Sequence, residues 1–197
     1  MNVPTKLTVT RIFMAIVIIG IMVIPLETIG IDTHVVRHNG VDISVKYIVC
    51  CVLFILASVT DYFDGYLARK NNEVTDRGKM LDAIADKILV DPILIIFASE
   101  GVINPIIPVI VVARDIVVDA IKMQAAANGK VIAAISSGKI KTAALMVGIV
   151  FLFISDVPFV YKNLRIDLLL IYFAAFMSLI SMIQYIGIGK KINNKEE

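Results

Sequence analysis

The sequence predicts an all-α integral membrane protein of six transmembrane helices, and three observations predict it. Of its 197 residues, 58% are hydrophobic, well above the apolar share of a soluble domain. Apolar runs of about 20 residues, the length that crosses a bilayer core, recur along the chain. Basic residues gather at one set of span ends, as they do on the cytoplasmic side of membrane proteins.

The spans follow in order. Residues 1–6 are short and polar, with Pro4 near the start, and suit an interfacial position. The first span covers 7 to about 29, and Arg11 interrupts its inner end. Thr5, Thr8, Thr10 and Arg11 give that end a polar face, which helix capping and snorkelling would explain. Lys6 and Arg11 lead into a span too long for a cleavable signal peptide. Residues 32–42 read as a polar loop with a turn at Asn39-Gly40. His34 and His38 sit there at helical spacing, but the surrounding residues favour the turn over a metal pair.

The second span runs from 43 to about 66. Its adjacent Cys50 and Cys51 suit packing as small apolar side chains rather than a bridge. A polar loop follows over 70–77. The third span covers 80 to about 99, and Asp91-Pro92 within it should kink the helix. The fourth span covers 104 to about 123, with Arg114, Asp115, Asp119 and Lys122 in its inner half. Ions this dense imply a wet cavity rather than lipid contact. A small-residue loop over 128–141 leads to a fifth span from 140 to about 157. The sixth runs from 164 to about 188, and residues 190–197 form a charged, loose tail.

Six spans put both termini on one side. Fifteen of the 19 Lys and Arg residues lie on that side or in its half-spans; Arg37, Lys46, Lys162 and Arg165 lie opposite. The termini and the inner loops are therefore expected to face the cytoplasm. Net charge is only +2, and the chain has neither a Gly-rich phosphate loop nor a nucleic-acid patch.

Four carboxylates border the second and third spans. Asp61 and Asp64 are three residues apart, about 60° around a helix; Asp82 and Asp86 are four apart, about 40°. Each pair shows one face of its own helix. Gly65 and Ala68 share the face of the first pair, and side chains this small permit close approach of a backbone or ligand. Carboxylates in a membrane span are costly and mark function. Four converging acids would repel one another unless cations neutralised them. Oxygen-only ligands favour Mg²⁺ or Mn²⁺ over zinc, and four acids suit two such ions about 3.5–4 Å apart, the arrangement of phosphoryl chemistry. The plainer reading is helix capping, or pairing with Arg69, Arg77, Lys79 and Lys87. A cation transporter would also account for intramembrane acids in a wet cavity.

The full pattern Asp61-x2-Asp64-Gly65-x2-Ala68-Arg69-x8-Gly78-x3-Asp82-x3-Asp86 sets eight fixed positions over 26 residues. It is identified as the signature of the CDP-alcohol phosphotransferases, with every fixed position present, and a transporter would not need its Gly, Ala and Arg spacing. The resemblance implies that Asp61, Asp64, Asp82 and Asp86 hold two metal ions, Mg²⁺ or Mn²⁺. Asp86 would also be the base for the acceptor hydroxyl. Gly65, Ala68, Arg69 and Gly78, with Asp61, would border the CDP moiety. Pro4-Thr5-Lys6-Leu7-Thr8-Val9-Thr10-Arg11 is similar to the Pro-Asn-x-Leu-Thr-x-x-Arg of glycerophosphate-type members, with Thr5 in place of Asn. Thr5, Thr8 and Arg11 thereby become possible pocket residues.

Ala113-Arg114-Asp115 with Gly138-Lys139-Ile140-Lys141-Thr142 resembles the bacterial phosphatidylglycerophosphate synthases within that family. The resemblance implies transfer of a phosphatidyl group from CDP-diacylglycerol to sn-glycerol 3-phosphate, in a cell membrane, by a homodimer. Arg114, Lys139 and Lys141, with Lys122 behind them, are the candidate ligands of the acceptor phosphate; lipid headgroup contact is the other reading for Lys139 and Lys141. Those synthases usually carry Glu, Thr and Arg where this chain has Asp115, Asp119 and Lys122, and often Pro at Ala83. Inositol phosphate, serine and phosphatidylglycerol are the alternative acceptors. The expected organisation is one membrane-embedded catalytic domain over 1–189 and the tail over 190–197.

Overall fold

In the computed structural model, residues 3–25, 35–38, 41–70, 76–155 and 165–193 are described. Side chains are described for most of these, but not for residues 3–6, 35–38, 41–43, 62–70, 76, 77, 79, 192 or 193. Six helices dominate: α1 (Val3–Val23), α2 (Val45–Lys70), α3 (Asp76–Ser99), α4 (Ile106–Ala127), α5 (Ser136–Phe153) and α6 (Ile166–Asn193). Two four-residue strands, β1 (Val35–His38) and β2 (Val41–Ser44), pair antiparallel with His38 opposite Val41. The polar loop expected over 32–42 thus contains a hairpin. Asn39-Gly40, the dipeptide that two-residue hairpin turns favour, lies outside the described residues. His38 stands on β1, and His34 lies outside the described residues.

Helix ends follow local chemistry. α1 begins at Val3 rather than after an interfacial segment, because Pro4 fits a first helical turn, where its missing N–H costs nothing. α3 and α4 end in the same way. Gly101 and Gly129 adopt φ of +75° and +67°, and the N–H groups of Val102 and Lys130 reach back to Phe97 O at 2.9 Å and Ala125 O at 2.8 Å. These are Schellman closures, which need a residue tolerant of positive φ. At the start of α4, Asn104 Oδ1 accepts the Ile106 N–H at 3.0 Å. Residues 136–139, expected in a loop, form the first turn of α5. Residues 190–193, expected in the loose tail, continue α6. α3 remains helical through Pro92.

α1 packs along α2 and α3, α5 along α6, and α4 along α6. At one end of the bundle the core is aromatic. Phe97 meets Phe153 edge-on at 5.2 Å, and Tyr47 stacks on Phe97 at 5.9 Å. Toward the middle, Ala15, Ile18, Phe54, Leu89 and Ile93 are buried. Large apolar side chains also face outward, among them Phe13, Ile16, Leu56, Leu169, Phe173, Phe176 and Ile183. Helices apolar on both inner and outer faces match a hydrocarbon surround.

By length and composition, α5 and the Ile166–Lys191 stretch of α6 are able to cross a membrane; α1 offers a shorter apolar stretch, Leu7–Val23. Among the described residues, two helices rather than six meet that criterion. The site charges of α2, α3 and α4 lower their hydropathy, so composition alone does not make them spans.

α5 and α6 approach most closely at Gly148, where an added Cβ would lie 2.9 Å from Ile171 Cδ1 and 3.3 Å from Leu170 Cβ. Gly148→Leu is expected to destabilise the protein by about 1–3 kcal/mol through overpacking, and Gly148→Ala by less. Thermal unfolding in detergent measures both; equal stability of Gly148→Leu and wild type would contradict this packing.

Candidate active site

Arg11 organises the polar end of the bundle. It lies three residues after Thr8 on α1, both are buried, and its guanidinium is fully enclosed. Nη2 meets Asp61 Oδ1 at 2.5 Å, and Nη1 donates to Asp82 Oδ1 and Asp86 Oδ1, each at 3.0 Å. One cation thus ties three carboxylates from α2 and α3. Their side chains are 33%, 46% and 37% exposed, in that order, so solvent reaches the acids but not the guanidinium. Arg11 is therefore ion-paired inside the bundle rather than snorkelling to its surface.

The local structure follows from spacing. Asp82 and Asp86 are successive-turn neighbours on α3 and can address one nitrogen together. Asp61 approaches from α2. One oxygen from each of the three lies within 4.8 Å of the others. An all-carboxylate set this compact fits a hard divalent ion such as Mg²⁺ or Mn²⁺.

Asp64, Gly65, Ala68 and Arg69 belong to α2, but their side chains lie outside the described residues, as does that of Thr5. Gly78 lies in the first turn of α3.

Asp86 also lines a polar cavity of about 170 Å³ between α3, α4 and α5. Arg114, Lys122 and Lys141 line it too. Lys139 does not; its side chain is exposed. Lys141 is buried and donates to both oxygens of Asp115 at 2.8 Å. Arg114 Nη1 donates to Asp115 Oδ1 at 2.7 Å. Asp115 therefore joins two of the predicted cations. At the cavity wall Lys87 pairs with Asp119. Asp91 lines this cavity too, with Oδ1 buried and without a hydrogen-bond partner.

Sequence reasoning missed the contribution of α6. Ser181 Oγ accepts from Arg114 Nε at 2.8 Å and Nη2 at 2.5 Å. The Tyr185 ring lies 5.5 Å from the Arg114 guanidinium and 5.2 Å from Lys122 Nζ. Ser137 Oγ donates to Gln184 Oε1 at 2.6 Å, tying α5 to α6. The available signal was a polar repeat at helical spacing, Ser178, Ser181 and Tyr185, within a span otherwise rich in Leu, Ile and Phe.

Residues 1–184 match the family described as CDP-alcohol phosphatidyltransferase. The chain is 33% identical to a Bacillus subtilis protein named CDP-diacylglycerol–glycerol-3-phosphate 3-phosphatidyltransferase, over 93% of each chain. Proteins of the same name from Rickettsia bellii and Rickettsia felis are 34% and 32% identical, each over 96% of both chains.

Arg11→Met is expected to leave three converging acids without their cation. The loss should be on the order of 2 kcal/mol, below the ~3–5 kcal/mol of a fully buried broken pair, because the acids are partly solvated. Arg11→Lys should not restore stability, since one ammonium lacks the planar fork that spans two groups. Unfolding temperatures in EDTA read this directly, and an unchanged value for Arg11→Met would refute the tie.

Proposed function

The chain belongs to the CDP-alcohol phosphatidyltransferase family, and from that premise we propose that it transfers the phosphatidyl group of CDP-diacylglycerol to sn-glycerol 3-phosphate, forming phosphatidylglycerophosphate and CMP. One observation carries this reading. Asp86 belongs both to the carboxylate cluster around Arg11 and to the cavity containing Arg114 and Lys122. A residue shared by the two compartments stands where donor and acceptor would meet.

The step is a direct displacement. The acceptor hydroxyl oxygen attacks the β-phosphorus of CDP-diacylglycerol, its proton passes to Asp86, and the bond to the CMP phosphate oxygen breaks with the electron pair leaving on CMP. No protein nucleophile is required. Ser58 Oγ donates to Phe54 O at 2.9 Å, a helix-internal contact without an activating base. Members of the family generally depend on a divalent metal ion. Two ions held by Asp61, Asp82 and Asp86, with Asp64 as the fourth acid, would neutralise the pyrophosphate and stabilise departing CMP. Gly65, Ala68, Arg69 and Gly78 would border the CDP head.

Arg114 and Lys122 would receive the phosphate of the acceptor. The acid at position 119 does not oppose this, because it pairs with Lys87. Lys141 acts through Asp115 instead of meeting the phosphate itself. The six helices would all span a cell membrane, as a homodimer, with both termini and Asp86 facing the cytoplasm. That side holds fifteen of the 19 basic residues and is where CMP could leave.

The test is CMP release by purified protein supplied with CDP-diacylglycerol, Mg²⁺ and glycerol 3-phosphate. Release should require the acceptor and should fall at least about 10²-fold in Asp86→Asn, as loss of a general base predicts. Release with serine or inositol phosphate but not glycerol 3-phosphate would overturn the acceptor assignment. Undiminished release by Asp86→Asn would overturn the role of the base.

A further inference from the structure

We propose that Ser181 and Tyr185 of α6 are positioning residues that preset Arg114 and Lys122 as a clamp for the acceptor's phosphate. The inference rests on the reading of Arg114 as a phosphate ligand and assigns the elements that make it one.

A guanidinium offers five N–H donors in a rigid fork. In Arg114, Nε and Nη2 each give one to Ser181 Oγ, and Nη1 gives one to Asp115 Oδ1. Three donors are engaged, which leaves one on each terminal nitrogen. Such a pair matches two oxygens of a phosphate. Without Ser181 the long side chain would regain rotamer freedom and could turn its fork toward Asp115 alone. Ser181 itself is fully buried within α6, where a hydroxyl is costly unless bonded.

Tyr185 acts on both cations at once. Its ring is 1% exposed and lies against Arg114 and Lys122, which stand eight residues apart on α4. Two like charges converging on one cavity repel; the negative face of an aromatic ring offsets part of that repulsion. The Tyr185 hydroxyl accepts the Ile135 N–H at 3.3 Å, which fixes the residue preceding α5. Gly138 completes the arrangement, since a Cβ there would lie 3.1 Å from Arg114 Nη2. The fork is thus bounded by α6 on one side and the start of α5 on another.

A structural tie and a positioning role predict different kinetics. Full-length protein in detergent with Mg²⁺ is assayed as wild type, Ser181→Ala, Tyr185→Leu and Tyr185→Phe. Ser181→Ala and Tyr185→Leu should raise the KM for glycerol 3-phosphate about tenfold or more, the scale of a lost bond to a charged group. The KM for CDP-diacylglycerol should stay near wild type in both, as should the unfolding temperature of Ser181→Ala; that of Tyr185→Leu should fall, because it also loses buried ring packing and the bond from the Ile135 N–H. Tyr185→Phe keeps the ring and should stay within about threefold of the wild-type acceptor KM. An unchanged acceptor KM in Ser181→Ala, or equal rises for both substrates, overturns the proposal. Equilibrium binding of radiolabelled inorganic phosphate supplies a readout independent of turnover, and Ser181→Ala should weaken it about tenfold. If wild type does not use glycerol 3-phosphate, the acceptor reading falls by itself. Phosphate binding then decides the clamp: weakening in Ser181→Ala upholds it, and equal binding overturns it.

Discussion

A guanidinium sealed from water must find negative charge, and the rest of the bundle depends on how Arg11 does so. Burying a cation costs several kcal/mol unless partners with good geometry surround it. Arg11 is enclosed, yet Asp61, Asp82 and Asp86 converge on it. The dependence is mutual: three acids this close need a cation as much as the cation needs them. Because they come from α2 and α3 while Arg11 comes from α1, the requirement fixes three helices at one end. The aromatic contacts of Tyr47, Phe97 and Phe153 fix α2, α3 and α5 at the other. A covered cation beside half-exposed carboxylates also sets polarity, since the acids are what a solute entering from water meets.

The second compartment solves its charge problem differently. Its cations are spread over several partners: Lys87 meets Asp119, Arg114 and Lys141 share Asp115, and Lys122 lies against the Tyr185 ring with Arg114. Local pairing leaves direction as the variable that matters, because a paired guanidinium still presents whichever N–H groups its partners do not take. Ser181 and Asp115 determine which those are. Asp119, which by sequence looks like an added negative charge near a phosphate pocket, becomes the counterion of a lysine from the neighbouring helix.

The convergence of Asp82 and Asp86 was legible because their spacing is helical and local. Asp82 and Asp86 lie one turn apart on α3, so their shared face follows from 3.6 residues per turn alone; the side chain of Asp64 lies outside the described residues. The contacts that were not legible join residues far apart in the chain. Arg11 reaches Asp86 across 75 positions and Arg114 reaches Ser181 across 67, and no periodicity within one helix reveals which helix will face it. Lys139 and Lys141 illustrate the opposite error. Two residues apart on α5, they point in directions roughly 200° apart, so one is buried on Asp115 and the other is exposed. The hairpin is not legible from hydropathy because its strands are only four residues each. Helix ends shifted where capping chemistry, as at Gly129, outweighed hydropathy.

The placement of Asp86 follows from these two solutions. α3 is the helix common to both compartments: Asp82 and Asp86 face Arg11, while Lys87 and Asp91 face the cavity. A helix advances about 100° per residue, so consecutive residues such as Asp86 and Lys87 necessarily address adjacent sectors. Placing the last acid beside a lysine therefore puts a carboxylate on the border between a carboxylate-rich space and a cation-lined one. On the proposed reaction, an anionic donor would need positive charge at the first, an anionic acceptor would need it at the second, and the proton would pass to the acid between them. Asp82 to Asp91, about two and a half turns of α3, supplies the side chains that face both compartments. That explains how a short chain of apolar helices can hold a reaction between two charged substrates: the polar work is confined to one end of the bundle, and the boundary between its halves is one residue wide.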